Sequence, residues 1–452
     1  MQFELTADFL ADLKNAVARS DSSFVSTQVA VLHPADIADI LDEIDLNEAK
    51  FIYRHLEEEV ASDTMMELDD DVREKFLESL SDQQIAQIID NLDTDDATDL
   101  VAELPEERQE EVLEQVEDEE QVSDIEDLLT YDSNSVGGLM AKELIQVNMD
   151  WTVLRCVREM RKQAEEVDYV YTIYVVDNDN HLMGIVSLKK MLLGSERTMI
   201  SDIFKTDVLY LKADMDAEEA ANFAEKYDLV VIPVVDDQGK LIGRVTVDDL
   251  MDVVREETSK DYQMLSGISK NVESSDSIWV TSRARLPWLL IAMAGGIVGA
   301  MVIGNYEEDL QLRPEMAFFI PLVVAMGGNV GIQSSSLVVQ GLANNTMGLD
   351  GIFKKVMKEL GVGLFNGFAC TLVLLIYSFA ASFPLALSLT IGSSLLAVIL
   401  FAAAFGTFIP LVLKKYGFDP ALATGPFITT SNDIIGLFFY FILARLIYGI
   451  VF

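Results

Sequence analysis

Residues 360–413 read LGVGLFNGFACTLVLLIYSFAASFPLALSLTIGSSLLAVILFAAAFGTFIPLVL, a stretch without a single charged side chain. A helix needs about 20 predominantly apolar residues to cross the hydrocarbon core of a bilayer. The stretch is therefore long enough for two crossings, and Ser382, Phe383 and Pro384 provide a break between them. This segment predicts a protein that is held in a membrane by helices.

Three further segments on either side of this stretch are long and apolar enough to cross a membrane. Residues 286–305 and 316–349 carry no charged side chain, and the segment 421–446 contains a single acid, Asp433. Together with the two crossings above, these segments predict five membrane-spanning helices, all within residues 278–452.

Basic residues near the ends of these segments predict their orientation, because loops rich in lysine and arginine stay in the cytoplasm. They precede the first span and follow the second and fourth spans, at Arg283, Arg285, Lys354, Lys355, Lys358, Lys414 and Lys415. The acidic residues 307–309 lie in the loop between the first two spans, on the opposite side of the membrane. We therefore expect a multi-pass protein of the cell (inner) membrane with a cytoplasmic N-terminus and an outer C-terminus, where Arg445 extends toward the membrane surface.

Asp433 is the acid within the last predicted span. A charge at membrane depth costs at least a few kcal/mol, so such a residue normally faces a water-filled path. Side chains that offer oxygen ligands surround it, at Thr429, Thr430, Ser431 and Asn432. Hard divalent cations such as Mg²⁺ select oxygen ligands of this kind. The alternative is a structural acid that pairs with a basic residue or stays protonated, and the sequence leaves it open.

A second polar group lies in the second predicted span, in MGGNVGIQSSS (residues 326–336). Asn329 and Gln333 are four residues apart and so share one helix face. We expect both to line the same path as Asp433. The glycines Gly327, Gly328 and Gly331 are equally consistent with close packing of helices, which is common in membranes.

The remainder of the chain is strongly acidic. Of 75 acidic and 32 basic side chains, residues 278–452 hold only eight and nine, so residues 1–277 hold 67 and 23. This charge excludes a nucleic-acid-binding protein that relies on phosphate contacts. Cys156 and Cys370 offer no CxxC pair, and the N-terminus has no basic leader before an apolar core. We therefore expect this part of the chain in the reducing cytoplasm.

A fourfold internal repeat occupies residues 32–117. Its units open at Leu32, Leu56, Leu80 and Leu104 and end on Asp45, Asp69, Asp93 and Glu117. Apolar residues at helical spacing in each unit predict short helices stacked in a superhelical array, and the acidic ends predict one acidic face. The run DTDDATD (residues 93–99) lacks the central glycine and ligand spacing of an EF-hand loop, so we do not interpret it as a calcium site.

A second duplication follows, in which YVVDNDNHLMGIVSLKKML (174–192) aligns with PVVDDQGKLIGRVTVDDLM (233–251). Each copy reads as an apolar strand, a turn, a second strand and a helix start, and an amphipathic helix precedes each copy. Two such units predict a pseudo-twofold pair with a cleft between the copies.

The tandem G-x-V-[ST] modules resemble a pair of CBS domains. Together with the acidic helical repeats, MGGNVGIQS and SNDIIG, they make the chain similar to the MgtE family of Mg²⁺ channels and transporters over essentially its whole length. The resemblance implies an all-α N-terminal domain (1–130), an α/β CBS pair (131–250), a connecting helix that plugs the pore (251–277) and a five-helix membrane domain (278–452). It also implies a homodimer with a pore between the membrane domains.

The resemblance implies a Mg²⁺ site at Asp433 and further cytosolic Mg²⁺-sensing acids. These match Asp63, Asp95, Asp99, Glu218, Asp228, Asp249, Asp252, Glu257 and Asp261. Asp63 stands where the family pattern has Glu, and Lys260 stands before Asp261 where an acid is expected. In the membrane domain we expect Asn329, Gln333, Thr429 and Asn432 to line the pore.

The acidic charge suggests how such a protein could be regulated. Crowded carboxylates repel one another, and a divalent ion that bridges two of them relieves the repulsion and favours a compact, closed state. The plainer interpretation is that acidity only keeps a cytosolic domain soluble. ATP is a further candidate as a regulatory ligand, because Thr246 and Asp249 match the ribose-binding pattern of CBS clefts, whereas Ser187 and Lys190 of the first copy do not.

We therefore expect a Mg²⁺-selective channel or transporter gated by cytosolic Mg²⁺. The alternative is a CBS-regulated secondary transporter of another divalent cation, such as Co²⁺. An enzyme is disfavoured because the predicted spans contain no nucleophile–base pair, and a sensor without transport would leave Asp433 unexplained.

Overall fold

The computed structural model describes residues 3–164, 167, 170, 172–269, 272, 277–343, 351–423 and 425–451. The chain divides into two compact units, Met1–Val254 and Arg255–Phe452. The first contains a helical domain and two small α/β modules, and the second contains five long apolar helices. The multi-domain architecture expected from the sequence is thereby confirmed.

Short helices build the N-terminal domain. In the described residues they are α1 (Ala7–Ala18), α2 (Ser22–Phe24), α3 (Pro34–Asp42), α4 (Leu46–Tyr53), α5 (Glu58–Met66), α6 (Asp70–Ser79), α7 (Asp82–Ile89), α8 (Thr94–Ala102), α9 (Glu106–Leu113) and α10 (Glu119–Leu128), with a π-helical turn at Val25–Val29. Each repeat unit is a helix pair, because α3, α5, α7 and α9 begin at residues 34, 58, 82 and 106.

Stacking of the pairs builds one continuous core. Helices α3, α5, α7 and α9 contact one another in sequence, and α6 contacts α4 as α10 contacts α8. Apolar side chains from successive repeats, such as Ile37, Ile52, Phe76 and Ile85, are fully buried in this core. A repeat protein of this kind is stabilised by its neighbour contacts, since a single pair cannot bury its own apolar face.

The acids that end three of the repeat units stand at helix N-termini. Asp45, Asp69 and Asp93 are the N-cap residues of α4, α6 and α8. A carboxylate is favourable there because the first backbone N–H groups of a helix lack partners and carry partial positive charge. The periodic acids therefore have a local structural role in addition to their charge.

Two α/β modules follow, and their elements correspond. The first has β1 (Ile145–Asn148), α11 (Val153–Gln163), β2 (Ile173–Val176), β3 (Leu182–Val186) and α12 (Leu188–Leu193); the second has β4 (Leu211–Lys212), α13 (Ala217–Tyr227), β5 (Val231–Val235), β6 (Leu241–Thr246) and α14 (Val247–Leu265). In each three-stranded sheet the first strand pairs parallel with the second, and the second pairs antiparallel with the third. The short first strands were not expected from the sequence.

The two modules are related by an approximate twofold axis. The backbone N–H of Leu182 donates to the carbonyl of Gly239 (3.1 Å), and the N–H of Leu241 donates to the carbonyl of Asn180 (3.0 Å). Leu182 is equivalent to Leu241, and Asn180 to Gly239, when the two copies are aligned. The hairpin turns of the two copies thus exchange reciprocal hydrogen bonds, as a pseudo-twofold pair requires.

The second unit contains the long apolar helices. These are α15 (Ile278–Gly304), α17 (Ile320–Ala343), α18 (Ile352–Ala380), α19 (Leu385–Lys415) and α20 (Pro426–Val451), with the short α16 (Glu307–Leu312) and 3₁₀ turns at Pro314–Phe319 and Pro420–Ala423. Five of these helices, in the described residues, are long and apolar enough to cross a membrane, as predicted. The break after residue 380 is also confirmed, since Ser382 adopts a left-handed conformation (φ 57°) there.

Helix α19 is the centre of the bundle. It contacts α17, α18 and α20, and 16 of its residues are buried inside the chain, against three in α15 and four in α18. Arg445 of α20 does not extend freely, because its guanidinium forms an ion pair with Asp309 (2.9 Å) and lies over the ring of Tyr306. This contact places the loop after α15 and the C-terminal part of α20 at the same end of the bundle.

Candidate functional site

A cavity of about 750 Å³ lies in the second unit, beside Asp433. Helices α15, α17 and α20 and the end of α14 form its wall. Its polar lining residues are Asp433, Thr429, Thr430 and Ser266, and Asp433 is the only charged residue in its described lining. The alternative pairing of Asp433 with a basic residue does not occur in the described part of the chain, where Asp433 has no ion pair.

Small residues let the helices around Asp433 pack closely. A side chain at Gly295 of α15 would collide with Thr430, because a Cβ there would lie 1.8 Å from its Cγ2 atom. A Cβ at Gly328 of α17 would lie 3.0 Å from the Cγ2 of Thr429 and 3.5 Å from a carboxylate oxygen of Asp433. Glycine therefore lets α15 and α17 approach the polar face of α20 closely.

Asn432 occupies a different position from the one predicted. Its side chain is 1% exposed and donates a hydrogen bond to the carbonyl of Gly327 (3.3 Å). A Cβ at Gly331 would lie 2.0 Å from its amide nitrogen. Consecutive residues of a helix point about 100° apart, so Asn432 meets α17 while Asp433 faces the cavity. Gly327 and Gly331 thus serve the close packing of α17 with α20.

Asn329 and Gln333 share one face of α17, as expected, but they do not line the cavity of Asp433. Both side chains are exposed on the surface of the single chain. Thr429 does line the cavity, and its hydroxyl donates to the carbonyl of Gly425 (2.7 Å). That hydroxyl oxygen therefore keeps its lone pairs available as an acceptor.

A second candidate site lies in the first unit, where six aspartates interact electrostatically and one of them, Asp93, is paired with Arg244. We name the other five the acidic cluster; its members are Asp63 of α5, Asp95, Asp96 and Asp99 of α8, and Asp249 of α14. Four of the five were predicted from the sequence. Asp96 was not, although it stands three residues before Asp99 and so on the same helix face.

Burial raises the pKa of four of the acids in this cluster. The pKa of Asp95 lies well above its usual value because of burial and the neighbouring Asp96 charge. Burial and the charge of Asp249 raise the pKa of Asp96 to about 7, and burial and Glu103 raise that of Asp99 to about 6. Burial also raises the pKa of Asp249. Ionised together, these carboxylates are costly without a cation.

Direct bonds join α8 to the α/β modules beside this cluster. Arg244 of β6 pairs with Asp93 (3.0 Å) and is only 8% exposed. Glu143 accepts hydrogen bonds from the backbone N–H (3.0 Å) and the hydroxyl (2.9 Å) of Thr94. These contacts hold the start of α8 against the α/β modules, close to the start of α14.

The remaining predicted acids lie outside the cluster. Glu218 and Asp228 are exposed at opposite ends of α13, and Asp252 is exposed on α14. Glu257 pairs with Lys260 (2.8 Å), so the lysine that departs from the family pattern has a carboxylate partner of its own. Asp261 is half-buried on α14. Parts of the predicted connecting segment, residues 270–271 and 273–276, lie outside the described residues.

The predicted nucleotide position is partly occupied by an internal hydrogen bond. One carboxylate oxygen of Asp249 accepts from the backbone N–H of Thr246 (3.1 Å) and from its hydroxyl. A cleft lined by Glu143 and Tyr174 of the first module and Arg244 of the second has a volume of about 10 Å³. That space, bounded by described residues, holds about one water molecule.

Comparison with known proteins identifies the family. Residues 320–443 match the family described as divalent cation transporter, residues 32–134 match the MgtE intracellular N domain, and residues 136–194 and 200–256 match CBS domains. The chain is 34% identical over 322 residues to the magnesium transporter MgtE of Thermus thermophilus. This alignment covers 70% of this chain and 71% of the relative. This chain belongs to the MgtE family.

Other MgtE proteins are similar to a comparable degree. The magnesium transporter MgtE of Bacillus subtilis is 33% identical over 311 residues, or 69% of each chain. The solved cytosolic domain of the Mg²⁺ channel MgtE in complex with ATP superposes with a TM-score of 0.50 and 28% identity, over 54% of this chain and 99% of that structure. Family membership makes this chain a multi-pass membrane protein of a magnesium transporter family, and its MgtE relatives are named as transporters.

Proposed function

We propose that this protein is a Mg²⁺-selective channel whose ion path passes Asp433. The observation that carries the proposal is the single carboxylate on a cavity of about 750 Å³. Mg²⁺ gives up its waters reluctantly, and six waters occupy roughly 180 Å³ at about 30 Å³ each. The cavity therefore accommodates a hydrated ion, with Asp433 supplying charge and Thr429 and Thr430 supplying hydroxyl groups.

The path is completed by a second copy of the chain. Asn329 and Gln333 are exposed on α17, a helix of membrane-spanning length. Polar side chains that face lipid are unfavourable, whereas they are stable against another helix or a water-filled path. A homodimer that brings the two α17 helices together across the path satisfies these residues and adds a second Asp433.

The end of α14 is placed to act as a gate in this proposal. Leu265 and Ser266 line the cavity, and Gly425 and Gly267 allow close contact between this segment and the start of α20. A Cβ at Gly425 would lie 2.6 Å from the carbonyl of Leu265, and one at Gly267 would lie 2.8 Å from Pro426. Withdrawal of this segment would open the cavity at the end nearest residue 425.

Mg²⁺ bound at the acidic cluster would favour the closed state. An ion that is shared by Asp249 of α14 and the aspartates of α8 relieves a repulsion that the buried site otherwise carries. The effect requires that Mg²⁺ binds the compact arrangement better than an open one. Asp249 and Leu265 both belong to α14, which is the link that this proposal assigns between ion binding and the gate.

Two further parts of the proposal concern orientation and ATP. The basic loop residues favour a cytoplasmic N-terminus and an outer C-terminus. ATP is proposed as a regulatory ligand of the CBS pair, supported by the likeness to a cytosolic domain that was solved with ATP. The proposed contact is with Asp249, whose carboxylate already accepts hydrogen bonds from Thr246, so a ribose hydroxyl would share that carboxylate with Thr246.

Ion flux into liposomes tests the central proposal. We expect Mg²⁺ uptake by the reconstituted protein and its loss on Asp433→Asn, which keeps the shape of the side chain and removes its charge. Glu308→Gln changes an exposed acid away from the cavity and should leave uptake unchanged. Uptake that survives Asp433→Asn would overturn the assignment, and uptake of Co²⁺ in preference to Mg²⁺ would favour a transporter of another divalent cation.

A further inference from the structure

The N-terminal domain contains a cavity of about 240 Å³ between α4, α5, α6 and α7. Its wall has an apolar part, which includes Leu56, Leu80 and the ring of Tyr53. Tyr53 packs against the buried Phe76, with ring centroids 5.4 Å apart. Three successive helix pairs of the superhelix contribute to the wall, and the described lining residues include none from α8.

Two basic residues also line this cavity, Lys50 and Arg54. They are four residues apart near the end of α4, so they share one face. Residues 1–134 contain seven basic side chains against 40 acidic ones. Arg73, Lys75 and Arg108 form ion pairs, whereas in the described residues Lys50 and Arg54 form none.

Four of the seven basic side chains of residues 1–134 form no ion pair among the described residues, and of these four only Lys50 and Arg54 line the cavity. Their positive charge is therefore not neutralised by a described carboxylate of the domain, although the domain has a large excess of carboxylates. Glu58 lines the same cavity, yet its carboxylate is not within ion-pair distance of either cation. Lys50 and Arg54 also suit the C-terminal end of α4 electrostatically, which explains a positive charge there but not a cavity beside it.

We propose that this cavity binds a small organic anion, with a phosphate or carboxylate group at Lys50 and Arg54 and an apolar or aromatic body against Tyr53 and Leu80. The guanidinium of Arg54 is suited to two-point contact with such a group. The volume is just below the range of about 300–1,000 Å³ that is typical of drug-sized ligands. The ligand is therefore smaller than a nucleotide, and the site is distinct from a CBS cleft.

Binding of phenyl phosphate to the full-length, detergent-solubilised protein tests the proposal, by calorimetry in buffer free of divalent ions. We expect saturable binding with a Kd in the millimolar range or tighter. Inorganic phosphate lacks the apolar body and benzyl alcohol lacks the charge, so each should bind at least tenfold more weakly. Equal binding of inorganic phosphate and phenyl phosphate would overturn the assignment of the apolar part.

Paired variants locate the site. Lys50→Gln with Arg54→Gln should weaken phenyl phosphate binding at least tenfold. Lys14→Gln with Arg19→Gln removes the same charge from the same domain at residues that do not line the cavity, and should change Kd less than twofold. Equal weakening by both pairs, or no saturable binding by the unmodified protein, would refute the proposal. All three proteins should show the same thermal unfolding midpoint, because these side chains lie at the surface of their helices.

Discussion

The two candidate ion sites of this protein use carboxylates in opposite ways. In the membrane unit, Asp433 is a single acid on a roomy cavity whose other polar groups are hydroxyls. In the first unit, five aspartates share a partly buried site, where burial first and neighbouring carboxylates second raise the pKa of four of them, Asp95, Asp96, Asp99 and Asp249. A lone carboxylate can hold a hydrated ion weakly enough to release it. Crowded carboxylates repel one another, so a bound ion lowers the free energy of their site strongly. The first arrangement suits passage and the second suits sensing.

Removing the lone carboxylate should have the largest effect. Asp433→Asn is expected to lower Mg²⁺ flux about 100-fold, which corresponds to roughly 2.7 kcal/mol. The measurement is dye-reported uptake into liposomes at matched protein density, with Glu308→Gln as control. If flux falls less than about threefold, Asp433 is not required for ion passage, and the distinction between a passage site and a sensing site is wrong.

The contacts that hold the acidic cluster together provide the second test. Arg244→Met leaves Asp93 without its buried partner and should destabilise the first unit by about 2 kcal/mol. The double variant Asp93→Asn with Arg244→Met should recover part of that loss, because no unpaired charge remains. Chemical unfolding of both variants at pH 7.5 measures the difference. Equal losses in both would mean that the ion pair contributes little beyond packing.

Reducing the charge of the cluster should have an intermediate effect. We expect Asp95→Asn with Asp99→Asn to reduce about tenfold the Mg²⁺-dependent protection of the protein from protease. Neutral amides attract the ion less and repel each other less. The exposed pair Glu218→Gln with Asp228→Asn provides the control, since it removes the same charge outside the cluster. An equal reduction by the control would mean that the exposed acids, and not specifically the acidic cluster, bind the Mg²⁺ that protects the protein.

Asp42 is a partly buried acid outside the acidic cluster, so it tests whether a raised pKa by itself makes the response to Mg²⁺ depend on that acid. Burial, followed by the charge of Asp69, raises the pKa of Asp42 to about 7. The folded protein then holds a proton that the unfolded chain, with a pKa near 3.9, has released. Stability therefore decreases as the pH rises from about 4 to 7.

Asp42→Asn should remove this pH dependence and stabilise the protein at pH 8 by about 1 kcal/mol, a value reduced for partial solvent screening. Thermal unfolding at pH 5 and pH 8, without Mg²⁺, measures the change. If the variant is less stable than the unmodified protein at pH 8, the ionised carboxylate contributes a favourable contact. Added Mg²⁺ should have the same effect on both proteins, because Asp42 is not a member of the acidic cluster.

Much of the architecture could be predicted because it depends on local pattern. Charge-free stretches predicted five apolar helices, and the two kinds of internal repeat predicted the helix stack and the duplicated modules. The very short strand β4 escaped prediction because such an element leaves no alternation to detect. Asn432 was assigned to the pore because sequence proximity to Asp433 does not say which helix face meets a neighbour.

The sequence by itself determined the membrane helices, the repeats and an acid at membrane depth, because hydrophobic periodicity and the cost of buried charge act on neighbouring residues. Only the tertiary structure decided which acids share a site. Arg244 and Asp93, separated by 151 positions, are joined by packing of the helical domain on the second α/β module. The same packing brings Asp249 beside α8 and leaves Glu218 in solvent, although as residues in the sequence the two are equally acidic.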